Sequence, residues 1–166
     1  MASHDARVSW RSDGQFTSGG YSRAHEWAFD GGQIVRGSSS PHVVPEPRSD
    51  PYGVDPEEAL VASVASCHML WFLDLSRKAG LDVAAYEDEA SGELGRIATG
   101  RHALTRIVLR PRIAFAGRQP DAAEIGALHH EAHERCFIAN SLKCDIVVEP
   151  PIEPAAEEPA SEAALP

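Results

Sequence analysis

The chain has 166 residues, 43% of them apolar, which suffices for one domain with a buried core. A net charge of −10 and scattered arginines exclude the basic stripe that tracks a phosphate backbone, so no nucleic-acid partner is expected. The opening "MASHDARVSW" lacks the apolar stretch of a secretory signal, and the longest apolar run, Leu60 to Leu75, is interrupted by His68 and Asp74. No membrane span is expected, and the expected location is cytoplasmic.

Up to Asp30 the chain reads as β. "RVSW" and "RAHEWAF" are short β-prone runs, with the turn residues "RSDG" between them. Residues 31–54 are rich in Gly, Ser and Pro and read as one long loop, of the kind that often carries function. The strongest element follows. Asp55 is a good N-cap, Pro56 suits the first helical position, and Glu58 completes an Asp-x-x-Glu capping box. Gly80 ends the helix. Apolar residues cover nearly its whole circumference between Leu60 and Leu75, the pattern of a helix buried on most sides. One small domain can hardly surround it, so a second chain is expected to cover part of it.

Residues 81–94 read as a strand. Residues 105–115 read as another, with Thr105, Ile107, Leu109, Ile113 and Phe115 on one face and Arg106, Arg110 and Arg112 opposite. A second helix is expected over about 121–142, and a last strand in "DIVVEP". Strands, long helix, strands, helix and strand in that order make an α+β fold with antiparallel sheets. Residues 1–150 are expected to form the domain. Residues 151–166, composed of Pro, Ala and Glu with almost nothing to bury, read as a disordered tail.

Three cysteines, Cys67, Cys136 and Cys144, do not suggest a structural disulfide framework in a chain with no secretory signal. Cys67 lies about 18 Å along its helix, beyond the reach of the helix dipole. A reactive thiolate there requires an outside cation, best supplied by an arginine; without one, Cys67 is a small core residue. On the second helix His129, His133 and Cys136 are spaced i, i+4 and i+7, on one face. That face suits zinc, with His68 or Cys67 as fourth ligand. Equally, Cys136 is a second thiol for Cys67 and the histidines are ordinary packing groups.

These residues carry a family resemblance. "VDPEEALVASVASCHMLWFL", followed by "EAHERCFIANSLK", resembles the OsmC/Ohr family of organic hydroperoxide reductases. The family has Asn-Pro-Glu-Glu-Leu and, ten positions after its first Glu, a cysteine. Here Asp55-Pro56-Glu57-Glu58-Ala59 leads to Cys67, and Ala132-His133-Glu134-Arg135 precedes Cys136, where the family's second cysteine lies.

The resemblance implies an OsmC-like fold, an intertwined homodimer with both sites at its interface, and a thiol peroxidase without metal or flavin. Cys67 becomes the peroxidatic and Cys136 the resolving thiol, joined in a catalytic disulfide; Cys144, eight residues later beside the last strand and so on a different element, is expected to be a packed bystander. An external dithiol, often lipoyl in the family, regenerates them. Glu57 matches the helper Glu, and Arg23 in "GGYSRAHEW" best matches the helper Arg, with Arg36 and Arg48 as rivals. Such a guanidinium stays charged, and Glu57 would hold it by a bidentate pair. Glu57 and Cys67 are about 15 Å apart along one helix, so the Arg must span between them or the Glu must come from the other subunit. The chain departs from the family in Asp55 for Asn, in Phe137 where many relatives have Pro, and in the extra Cys144. Trp71, Phe72, Met69 and Phe137 would suit an apolar pocket wall for alkyl or fatty hydroperoxides. The alternative function is a metal-binding or non-catalytic stress protein using His129, His133 and Cys136.

Overall fold

The computed structural model describes residues 2–149. The tail expected over 151–166 and the end of the 1–150 domain lie outside the described residues. Strands β1 (Ala6–Ser9), β2 (His25–Phe29) and β3 (Ile34–Gly37) form an antiparallel sheet. Helix α1 (Pro56–Lys78) follows, then β4 (Asp82–Asp88), β5 (Ser91–Ala98), β6 (Arg101–Leu109), β7 (Pro111–Ala116), α2 (Ala122–Arg135), a 3-10 turn (Ala139–Ser141) and β8 (Asp145–Val148).

The start of α1 is the capping box expected from the sequence. Asp55 Oδ1 accepts from the Glu58 N–H at 2.7 Å, and Glu58 Oε2 accepts from the Asp55 N–H at 3.2 Å. Two of the unpaired N–H groups at that end are thereby satisfied. The helix ends where Gly80 takes a φ of 73°, a conformation that costs glycine little.

Each of the two strands expected over 81–94 and 105–115 is broken into two. β4 pairs with β7 and β5 with β6, so the four segments form one long antiparallel hairpin, interrupted at Glu89–Ala90 and at Arg110. Arg110 stabilises the break. Its N–H donates to Asp88 Oδ1 at 2.7 Å instead of to a strand, and its Nη1 donates to the Glu89 carbonyl and to Ser91 Oγ. β8 lies beside β6 and runs parallel to it, a departure from the antiparallel pattern that the isolated Gly37–Val54 bridge shares. A helix between strands returns the chain to the same sheet end, and α2 does this here. Residues 31–54 are not wholly loop either, since β3 adds to the first sheet. The rest of this segment is fastened back. The Ser38 N–H donates to the Val54 carbonyl, the Asp50 N–H donates to Ser38 Oγ, and the Arg23 N–H donates to the Arg48 carbonyl at 2.7 Å.

The core centres on Val64 of α1 with Ile107 and Leu109 of β6, and Ile138, Leu142, Cys144 and Ile146 pack around it. Burying each large aliphatic side chain contributes about 1.5–3 kcal/mol. Ile107, Val108 and Leu109 are all buried, so both faces of β6 are covered at that end and the expected alternation lapses. By length and composition α1 could cross a membrane. In the fold it packs against α2 and β4. A single chain buries only its Val64, His68, Phe72 and Ser76 stripe, and leaves Leu70 63% exposed.

Candidate active site

Cys67 and Cys136 come together where α1 meets the end of α2. The sequence pattern carries α2 through to about residue 142, but the helix stops at Arg135. Cys136 is its C-cap, with φ −66° and ψ 110°. That turn out of the helix takes Cys136 off the face shared by His129 and His133. Its thiol lies near enough to the Cys67 thiol for the two to influence each other's ionisation. Burial, then the Cys67 contact, pushes the Cys136 thiol up to about 11, and the Ala139 N–H on its sulfur at 3.4 Å opposes the rise. Cys136 is therefore a protonated donor facing Cys67 near neutral pH. Both are free thiols, Cys136 buried and Cys67 half-buried.

The zinc face does not form. Among the described residues no group of three or more His, Cys, Asp or Glu side chains could hold a metal ion. Cys136 turns to Cys67, and His129 turns into the core, where its Nδ1 lies 3.0 Å from His68 Nε2 with the rings stacked at 14°. Sequence spacing singles out both histidines but does not pair them. The only signal for the pair is the stripe Val64, His68, Phe72 and Ser76, one face of α1. Burial pushes both imidazoles down to about 4, with repulsion from His129 and His133 adding to the effect on His68. Unfolded histidines titrate near 6.5, so between about pH 6.5 and 4 the unfolded chain binds more protons. The pair's contribution to stability is thus whole above about pH 6.5 and is lost as pH falls towards 4. Urea midpoints should drop over that interval, and the double variant His68→Leu with His129→Phe should show a flatter drop.

Arg23 and Glu57 border a common cleft of about 250 Å³, with His25, Ser38 and Ser40. No ion pair joins them among the described residues. The Arg23 guanidinium lies 3.6 Å over the Tyr21 ring and donates from Nη1 to the Tyr21 carbonyl at 2.8 Å. Arg36 is committed to an ion pair with Asp50, and Arg48 offers its carbonyl to the Arg23 N–H. Arg23 and Glu57 sit at the start of α1, whereas Cys67 is about 15 Å further along it. Cys144 borders a cleft with Pro56, Glu57 and Leu60 and packs against the core cluster of Val64, Ile107 and Leu109.

The four expected pocket-wall residues divide. Phe72 is fully buried, stacked on His129 at 4.5 Å, and is core. Met69 borders a groove of about 610 Å³ along α1, with Val61, Ala62 and Ala65. Trp71 and Phe137 meet edge to face at 5.7 Å, with the Arg135 guanidinium 5.6 Å over Trp71.

A fold of this kind has known relatives. The family model described as OsmC-like protein matches residues 48–150, and the chain belongs to that family. An OsmC-like protein of unknown function from Vibrio cholerae is 46% identical, with a TM-score of 0.87 over 90% of this chain and 99% of that one. An organic hydroperoxide resistance protein OsmC from Legionella pneumophila is 14% identical, with a TM-score of 0.69 over 92% of this chain and 98% of that one. An organic hydroperoxide resistance protein from Elizabethkingia anophelis with thiocyanate bound is 16% identical, with a TM-score of 0.67 over 91% and 95%. No curated protein matches the chain.

Proposed function

We propose that the protein is a thiol peroxidase that reduces organic hydroperoxides to alcohols in the cytoplasm. The observation that carries it is the approach of two free thiols, half-buried Cys67 and buried Cys136, where α1 meets the end of α2. The names of the Legionella and Elizabethkingia relatives, hydroperoxide resistance proteins, support it. The Cys67 thiolate attacks the nearer peroxide oxygen, the O–O bond breaks, and the alkoxide leaves with a proton as the alcohol. Cys67 is left as sulfenic acid. The Cys136 sulfur then displaces its hydroxyl as water, and the new disulfide accounts for the two electrons transferred. An external dithiol, such as a lipoyl group, restores both thiols by exchange.

Arg23 supplies the positive charge for the thiolate and the peroxide oxygen, and Glu57 orients it. Since these two lie at the far end of α1 from Cys67 of the same chain, the site is completed in a homodimer. The exposed apolar groove of α1 and the outward Val8 and Ile34 of the first sheet, 65% and 66% exposed, support that assembly. Light scattering at micromolar concentration should give twice the chain mass, and a stable monomer would contradict the shared site. The function itself is tested by steady-state reduction of tert-butyl, cumene and hydrogen peroxide with dihydrolipoamide or dithiothreitol. Dithiol-dependent turnover is expected, fastest with the organic peroxides, and its absence would refute the proposal.

A further inference from the structure

The peroxidase chemistry proposed above uses the two thiols but leaves the aromatic pair beside them without a role. Trp71 lies one helical turn after Cys67, on the same stripe of α1, and Phe137 follows Cys136 directly. The two thiols lie near each other, and the two rings meet at 5.7 Å between centroids with their planes at 83°. The rings therefore form one wall next to the sulfurs. The wall is fixed from behind, since Arg135 lies over Trp71 and is itself held by Glu131 at 2.6 Å. Ser141 Oγ donates to the Phe137 carbonyl at 2.7 Å, which fixes the backbone that carries the ring. Phe137 is 70% exposed in the single chain, so one side of its ring is open.

Resting on that peroxidase function, we propose that Trp71 and Phe137 select the organic group of the substrate and favour aryl-substituted hydroperoxides over small alkyl ones. In-line attack brings the peroxide oxygens to Cys67, and the carbon substituent must then lie within a few ångströms of that sulfur. The surface one turn away on α1 is Trp71, with the open side of Phe137 beside it. An aryl group placed there gains an edge or offset contact with an aromatic ring beyond its ordinary burial. A tert-butyl group gains burial only. Such contacts are worth a factor of roughly 3 to 10 in rate. Hydrogen peroxide has no carbon group and gains nothing.

The test measures kcat/KM for cumene and tert-butyl hydroperoxide, each divided by the value for hydrogen peroxide, in the full-length protein and in Phe137→Leu. Leucine keeps an apolar surface and removes the ring. The cumene ratio should fall by roughly 3- to 10-fold while the tert-butyl ratio changes by less than about twofold. Trp71→Leu, measured the same way, should move the cumene ratio in the same direction. Equal falls for both organic peroxides, or no change in either variant, would overturn the selection of aryl groups while leaving the peroxidase function standing. No turnover of any peroxide by the unmodified protein would overturn both.

Discussion

Cys67→Ser is expected to lower hydroperoxide turnover by more than about 100-fold, because a serine hydroxyl is scarcely ionised and attacks peroxide oxygen poorly. The substitution changes one atom on a half-buried position of α1, so the fold should persist. The Cys136 thiol, pushed up to about 11, is a poor substitute nucleophile near neutral pH and should not rescue the rate. A coupled assay with a dithiol reads the loss, and circular dichroism checks that the helices remain. More than a few per cent of residual turnover would move the chemistry away from Cys67.

The second large effect is expected at Arg23. Arg23→Ala should slow sulfenate formation by about 100-fold or more, the scale found when one preorganised donor to a developing charge is removed. Lysine should rescue poorly, since a point charge cannot grip a carboxylate and a peroxide oxygen as a planar fork does. The competing arginines give the contrast. Arg36 is engaged with Asp50, and its removal should loosen residues 31–54 with little effect on the chemical step. Stopped-flow measurement of the first oxidation step separates the two. If Arg36→Ala or Arg48→Ala is the inactive variant, the helper cation lies in that segment.

Much of the site is legible in the sequence because it is written in local chemistry. The Asp55–Glu58 capping box needs only three residues of separation, and both of its hydrogen bonds form. The apolar girth of α1 marks it as a helix that one chain does not bury, and Leu70 stands out in the open. What escapes depends on contacts distant in sequence. Alternation along residues 81–94 and 105–115 is a period-2 signal, and it does not report that Asp88 takes the Arg110 N–H out of the ladder. The end of α2 escapes for a different reason. No Gly or Pro follows Arg135 directly, and the helix stops on an extended Cys136 instead of a left-handed cap. That single turn takes Cys136 off the helical register of His129 and His133. The His68–His129 hydrogen bond joins residues 61 positions apart, so spacing within either helix could not announce it.

The arrangement of the three sulfurs bears most directly on how the protein works. Cys136 lies near Cys67, whereas Cys144 lies with Pro56 and Glu57 at the start of α1. A disulfide requires Cα atoms about 4.4–6.8 Å apart, so the two thiols compete for Cys67 and the pairing is decided by which of them meets that geometry. The measurement is peptide mapping by mass spectrometry after a single equivalent of hydroperoxide, without reductant. A Cys67–Cys136 peptide is expected, formed equally well in Cys144→Ser, while Cys136→Ser should leave Cys67 as sulfinic acid or trapped by small thiols. A dominant Cys67–Cys144 peptide, or oxidation that leaves Cys67 untouched, would contradict it.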